Sequence, residues 1–169
     1  MRTSTIRLSA AAAAAFLLLL TVVTATLGTP AGGVISAPIL ARGDFIDKVD
    51  VKIKFTTAHG TAISSAIEAG EVAVQEITIG PGGTTGWHSH PGPVVVVVKA
   101  GALTYVREDH GACLETVYSA GMAFVDPGQG HVHTAFNRGT ENLVLYATYF
   151  DVPAGGSPRI DELVVPPAC

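Results

Sequence analysis

From Asp44 onward the apolar residues fall into short β-branched runs separated by Gly, Pro, Asn and Asp, and no segment sustains a helical period. The runs predict strands at Val51 to Phe55, Val72 to Ile79, Val94 to Lys99, Ala102 to Val106, Leu114 to Tyr118, Met122 to Asp126, Val132 to Asn137 and Asn142 to Val152. Turns are expected at Gly80-Pro81-Gly82-Gly83, Pro91-Gly92-Pro93, Ala100-Gly101 and Pro127-Gly128, where Gly and Pro supply the required backbone angles. The pattern is all-β. About eight strands in roughly 110 residues suit a jelly-roll or small barrel, which pairs or closes its edges. Val94 to Val98 lacks polar alternation, so both faces of that strand are expected to be covered. The barrel is expected over residues 44–152, and the proline-bearing tail 153–169 is expected to wrap over it without regular structure.

The first forty residues are of another kind. Arg2 and Arg7 precede an uncharged stretch from Leu8 through Leu27 that contains Ala10 to Ala15 and Leu17 to Leu20. A charged start, an apolar run and small residues after it make up a secretory signal. Val23-Thr24-Ala25, Thr29-Pro30-Ala31 and Ile35-Ser36-Ala37 are candidate cleavage sites, so residues 1–37 are read as signal and short linker. An uncleaved anchor is the alternative, since about 20 apolar residues can span a bilayer. Either reading places the folded part outside the cytoplasm, secreted or in the cell envelope, with membrane contact only through an uncleaved N-terminal segment.

Composition narrows the functions. The 169 residues carry 14% charged side chains and a net charge of −4, and all fourteen acids follow Arg42. Setting aside Arg2 and Arg7, the remainder carries −6 with no basic run, which disfavours nucleic acid as a partner. Cys113 and Cys169 would lie in an oxidising compartment, where they either form a bridge that staples the tail to the middle of the domain or remain two unpaired thiols. No G-x-S-x-G elbow, P-loop or dinucleotide fingerprint follows a strand, which disfavours serine hydrolysis, nucleotide hydrolysis and hydride transfer.

The chemistry lies in the histidines. His88 and His90 are two apart, so on a strand their imidazoles share one face, and His131 and His133 repeat the spacing. Imidazole is the commonest ligand for divalent transition metals, and a converging trio leaves positions open for a substrate. His59 and His110 sit beside glycines in expected loops and read as surface residues. Trp87 should face away from His88 and pack. Tyr105, Phe124 and Phe136 are candidates to line the barrel or its core, and Gln75 or Glu76 could reach the cavity.

These residues resemble the cupin family, whose first motif is G-x5-H-x-H-x3,4-E-x6-G and whose second is G-x5-P-x-G-x2-H-x3-N. Gly82, His88, His90 and Gly101 match the first in register; Gly121, Pro127, His133 and Asn137 match the second, with one extra residue between the proline and His133. The resemblance implies a single cupin-type jelly-roll β-barrel and, residue by residue, metal ligation by His88, His90 and His133. The family's glutamate falls on Val94, which leaves a three-histidine site with no carboxylate. That set is similar to those of dioxygenases in the family that hold ferrous iron, and it would also suit Zn, Ni or Mn. His131 stands as the nearest catalytic base, as a fourth ligand, or as the third ligand in place of His133.

Two functions follow. One is a metal-dependent enzyme of oxygenase, lyase or isomerase type acting on a small organic molecule. The other is a barrel that binds a small ligand or metal without turnover. Barrels of this family often pair by strand exchange, so a homodimer is also implied.

Overall fold

The computed structural model describes residues 30–57 and 60–169. Among them all regular structure is strand: β1 (Gly32–Ser36), β2 (Ile39–Asp44), β3 (Val51–Thr57), β4 (Gly60–Ala66), β5 (Glu71–Thr84), β6 (His88–Ser89), β7 (Val94–Ala100), β8 (Ala102–Asp109), β9 (Ala112–Ser119), β10 (Ala123–Asp126), β11 (His133–Phe136), β12 (Leu143–Val152) and β13 (Ile160–Asp161). The order β10, β7, β12, β5, β11, β6, β13 forms the continuous sheet, with β8 on β11, β9 on β8, and β1 and β2 on β5. The strands β3 and β4 make a separate hairpin. The fold is an all-β barrel, as the short β-branched runs between turn residues indicate.

Long β5 turns the sheet into a barrel. Its residues 71–79 pair with β12, whereas Thr84 pairs with Phe136 of β11. The stretch Gly80-Pro81-Gly82-Gly83, expected as a turn, lies inside this strand, because its glycines allow a bend without ending the strand. One row of inward side chains then crosses three strands: Tyr149 pairs with Val94, and Val94 with Asp126. Val94, Val96, Val98, Leu103, Leu143, Leu145 and Ile79 are buried in one apolar cluster.

Several boundaries differ from those expected. The sheet begins at Gly32, ahead of Asp44, because β1 and β2 supply the partner that the outer edge of β5 needs. Cleavage after Ile35-Ser36-Ala37 would remove β1. The apolar run Leu8 to Leu27 and the candidate site Val23-Thr24-Ala25 lie outside the described residues, as does His59. In the described residues no helix is long and apolar enough to cross a membrane. Val97 is 40% exposed, so the strand Val94–Ala100 is covered on its inner face only; there valine reflects fit to a pleated strand rather than burial on both sides. The tail is not wholly irregular, since Ile160 and Asp161 form β13 against Ser89 and His88. Cys113 and Cys169 form a disulfide with their Cα atoms 4.9 Å apart, which fixes the end of that tail to β9.

Candidate metal centre

Two short strands set the histidines. His133 opens β11 and pairs directly with His88 of β6, so their side chains rise from adjacent backbones on the same face. His90 lies two residues beyond His88. The ring centroids are 4.3 Å apart for His88 and His133, 4.9 Å for His88 and His90, and 5.1 Å for His90 and His133. One nitrogen from each ring lies within 4.8 Å of the other two, and all three side chains are buried.

Each ring is anchored by its other side. His88 Nδ1 is 2.8 Å from the Gly86 carbonyl, His90 Nδ1 is 2.8 Å from the Pro158 carbonyl, and His133 Nδ1 is 3.1 Å from the His131 carbonyl. A carbonyl only accepts, so every Nδ1 must carry the proton and donate it. That assignment leaves three unprotonated Nε2 atoms as donors of lone pairs, the form in which imidazole binds a metal. The set fits a divalent transition ion.

Burial keeps the rings neutral. It holds His88 well below the ordinary imidazole value, with the neighbouring His133 and His90 acting the same way. His90 is lowered to about 4, again by burial first and by His133 next. Burial also lowers His133, against the opposing pull of Asp126. All three are therefore free to ligate at neutral pH.

Asp126 stands beside the three-histidine set without being one of its converging groups. It is 1% exposed, and its Oδ2 lies 3.2 Å from His133 Nδ1. Its carboxylate also accepts from the Tyr105 hydroxyl and, at 2.8 Å, from the Gly128 amide. Burial alone would raise this carboxyl, but His133, His131, His90 and the Tyr105 hydroxyl hold it below the usual carboxylate range. The acid stands on the strand beside the valine that replaces the expected glutamate, since Asp126 and Val94 are cross-strand partners. It lies behind His133 and braces it, on the side of the ring away from the converging Nε2 atoms. The sequence marks it only by position, two residues beyond the lining candidate Phe124 and therefore on the same face of the strand.

The family model described as "Cupin domain" matches residues 75–149, which contain this entire histidine set. The chain carries a cupin domain. Over 64 residues it is 34% identical to "(R)-mandelonitrile lyase" from Granulicella tundricola, an alignment covering 38% of this chain and 47% of that protein. The chain thus spans about half the length of the curated relative it matches. Among solved structures it is similar to a conserved protein with a double-stranded β-helix domain from Klebsiella pneumoniae, at 22% identity and a TM-score of 0.44, covering 56% of this chain and 76% of that one. It is also similar to a cupin domain from Bordetella pertussis, at 25% identity and a TM-score of 0.40, covering 59% and 92%. An oxalate oxidase shares 27% identity at a TM-score of 0.42, covering 47% and 41%.

The remaining residues of the cupin motifs have structural work. Gly101 turns from β7 to β8 at φ 76°, and Asn137 donates from Nδ2 to the Ile79 and Glu141 carbonyls, tying β5 to the loop before β12. His131 precedes β11 rather than lying on it, because the turn after Pro127 extends through it. Its ring is 6.3 Å from that of His133 and its Nδ1 is 3.5 Å from Asp126 Oδ2, so it stands outside the trio and beside the acid. With Asp126 and His133 it forms a second group of possible ligands. Gln75 accepts from Tyr149, whose ring lies 5.2 Å from His90, whereas Glu76 pairs outside the barrel with Lys99. Trp87 is buried and packs, and His110 is exposed. Phe136 lies outside the core cluster under the Arg138 guanidinium, whereas Tyr105 and Phe124 line the interior.

Among the described residues an inner chamber and an outer, half-open one meet at Tyr105 and Phe124. The inner one holds about 40 Å³ and contains the three imidazoles, Asp126, Val94 and Tyr149. The outer one holds about 720 Å³ between the β3–β4 hairpin and strands β8, β9 and β10. Tyr105 and Phe124 line both, and His131 faces the outer chamber.

Proposed function

We propose that the protein is an exported, metal-dependent cupin enzyme that acts on a small organic molecule, with His88, His90 and His133 holding one divalent ion. The observation that carries this reading is the anchoring of all three Nδ1 atoms on carbonyls, which leaves three Nε2 lone pairs free on rings whose nitrogens come within 4.8 Å of one another. Fe, Zn, Ni and Mn all suit a neutral-nitrogen set with open positions. A bound ion would supply Lewis acidity toward a substrate oxygen or an ionised group. Asp126 holds the His133 proton in place and makes that ring a stronger donor. His131, on the outer-chamber side of Asp126, is the side chain placed to accept a proton from a molecule in that chamber. The relative named "(R)-mandelonitrile lyase" supports lyase chemistry over oxygenation or isomerisation. The disulfide between Cys113 and Cys169 supports an extracytoplasmic location, where such bonds persist.

A second reading, a barrel that binds without turnover, is favoured by one feature. The inner chamber of about 40 Å³ has room for an ion and one or two waters and little else. Metal analysis of the purified protein separates the outcomes. Near one ion per chain, lost in His88→Ala together with turnover of mandelonitrile or of related hydroxynitriles, supports the enzyme. One ion per chain without turnover of any such compound favours the binding barrel. A folded wild-type protein that retains no transition metal after dialysis in its presence overturns both metal readings.

A further inference from the structure

The outer chamber is built for a ligand of a definite kind. Its inner wall is a run of three aromatic rings: Tyr118 stacks on Phe124 with centroids 4.3 Å apart, and Phe124 meets Tyr105 at 5.0 Å. Phe55 of the hairpin faces the same space. The hairpin is tied over it at its base, where Ser64 Oγ donates to the Pro127 carbonyl and Gln129 Nε2 donates to the Ser65 carbonyl. The volume of about 720 Å³, open to solvent on one side, is large enough to seat a small organic ligand.

One strong cation serves this wall. Arg107 pairs with His133 across β8 and β11, which directs its side chain to the inner face, beyond the aromatic run. Its Nη2 lies 3.3 Å from Asp109 Oδ2, and a guanidinium carries five N–H donors in a planar fork, more than this one contact can use. Its side chain is about one-fifth exposed, so an anion reaching it would be partly screened from water. Planar aromatic walls with a fork of N–H donors at one end match a planar ring that ends in a planar anion.

We infer that the outer chamber binds an aromatic carboxylate, with the ring against Tyr118 and Phe124 and the carboxylate on Arg107. This site deepens the proposed function and rests on it for the chemistry done to the ligand, because Tyr105 and Phe124 form the wall shared with the histidine cluster. Binding itself does not require the metal.

The test is calorimetric titration of the full chain with benzoate, and with cyclohexanecarboxylate as a non-planar control of equal charge, before and after removal of metal by a chelator. Benzoate is expected to bind roughly fivefold more tightly than the control through ring contact. Arg107→Gln is expected to weaken it roughly tenfold, and Tyr118→Ala to erase the preference over the control. Tyr118→Phe, which keeps the ring, should preserve that preference, and metal content should be unchanged in all three variants. Equal affinity for the two acids overturns the inference. So does benzoate binding that vanishes with the metal yet survives Arg107→Gln, since the carboxylate would then lie on the ion. If benzoate binds as described while the wild type retains no metal, the proposed function falls and the aromatic site stands.

Discussion

Behind His133 stand two acceptors, the His131 carbonyl and the Asp126 carboxylate, and only the second carries charge. Replacing Asp126 by Asn keeps the shape and removes that charge. The expected result is a 10- to 100-fold loss of metal affinity, the usual size of such a change one step behind a ligand. Competition with a chelator of known affinity measures it, and an unchanged constant would mean that Asp126 only fills space. His88 and His90 were legible in the sequence, because two imidazoles at i and i+2 on a strand must share a face. Asp126 was overlooked for a different reason: aspartate before Pro-Gly reads as a turn residue, and its burial depends on where β10 lies against β7. Nor does any side chain announce the Pro158 carbonyl. A backbone acceptor looks the same at every position in a sequence.

Among the elements, the loop from β10 to β11 decides how the second half of the site is presented. Gly128 holds φ at 63°, and a Cβ there would meet the Gly92 carbonyl oxygen at 1.8 Å. The two loops that carry His90 and His131 are therefore in backbone contact. Gly128→Ala should destabilise the protein by at least about 3 kcal/mol, from the left-handed strain and the clash together. A fall in the urea midpoint measures that, and an unchanged midpoint would contradict the contact. The strand pattern was largely readable from β-branched runs, although β4 was not expected, and neither were β1, β2 and β13. Each of the last three is short, and each exists because a neighbouring edge lacks a partner. The bend of β5 was likewise hidden, since glycines that permit a bend are the same glycines that permit a turn.

For the whole molecule, the buried histidines set a pH dependence. His90 takes up its proton at about 4 in the folded state and near 6.5 when unfolded, so between those values the unfolded chain binds more protons. Stability of the metal-free protein is therefore complete above pH 6.5 and falls as pH drops toward 4, by roughly 3 kcal/mol from His90 alone. Urea midpoints taken between pH 7.5 and 4 would show the fall, and a midpoint that rises on acidification would refute it. Bound metal should deepen the same dependence, because protons compete for the Nε2 atoms.

The disulfide acts at this scale as well. It joins residues 56 apart, a span for which cross-linking removes about 4 kcal/mol of unfolded-state entropy. Reduction should lower the melting temperature by several degrees. It should also weaken metal retention, because β13 and the Pro158 carbonyl belong to the freed tail. Loss of stability with metal affinity unchanged would show that the tail reaches His90 without the bridge.

The hydrogen bond from His90 to Pro158 spans 68 residues and sets an order of events. The ribosome makes Pro158 after every strand of the barrel except β13, and Cys169 eleven residues later still. A nascent chain can fold most of its sheet with His90 unanchored, so an ion held as proposed would meet the full set of anchored rings only once the tail reaches Pro158. Under the proposed function, loading with metal would then be a late step, following synthesis of the segment that carries Pro158 and β13.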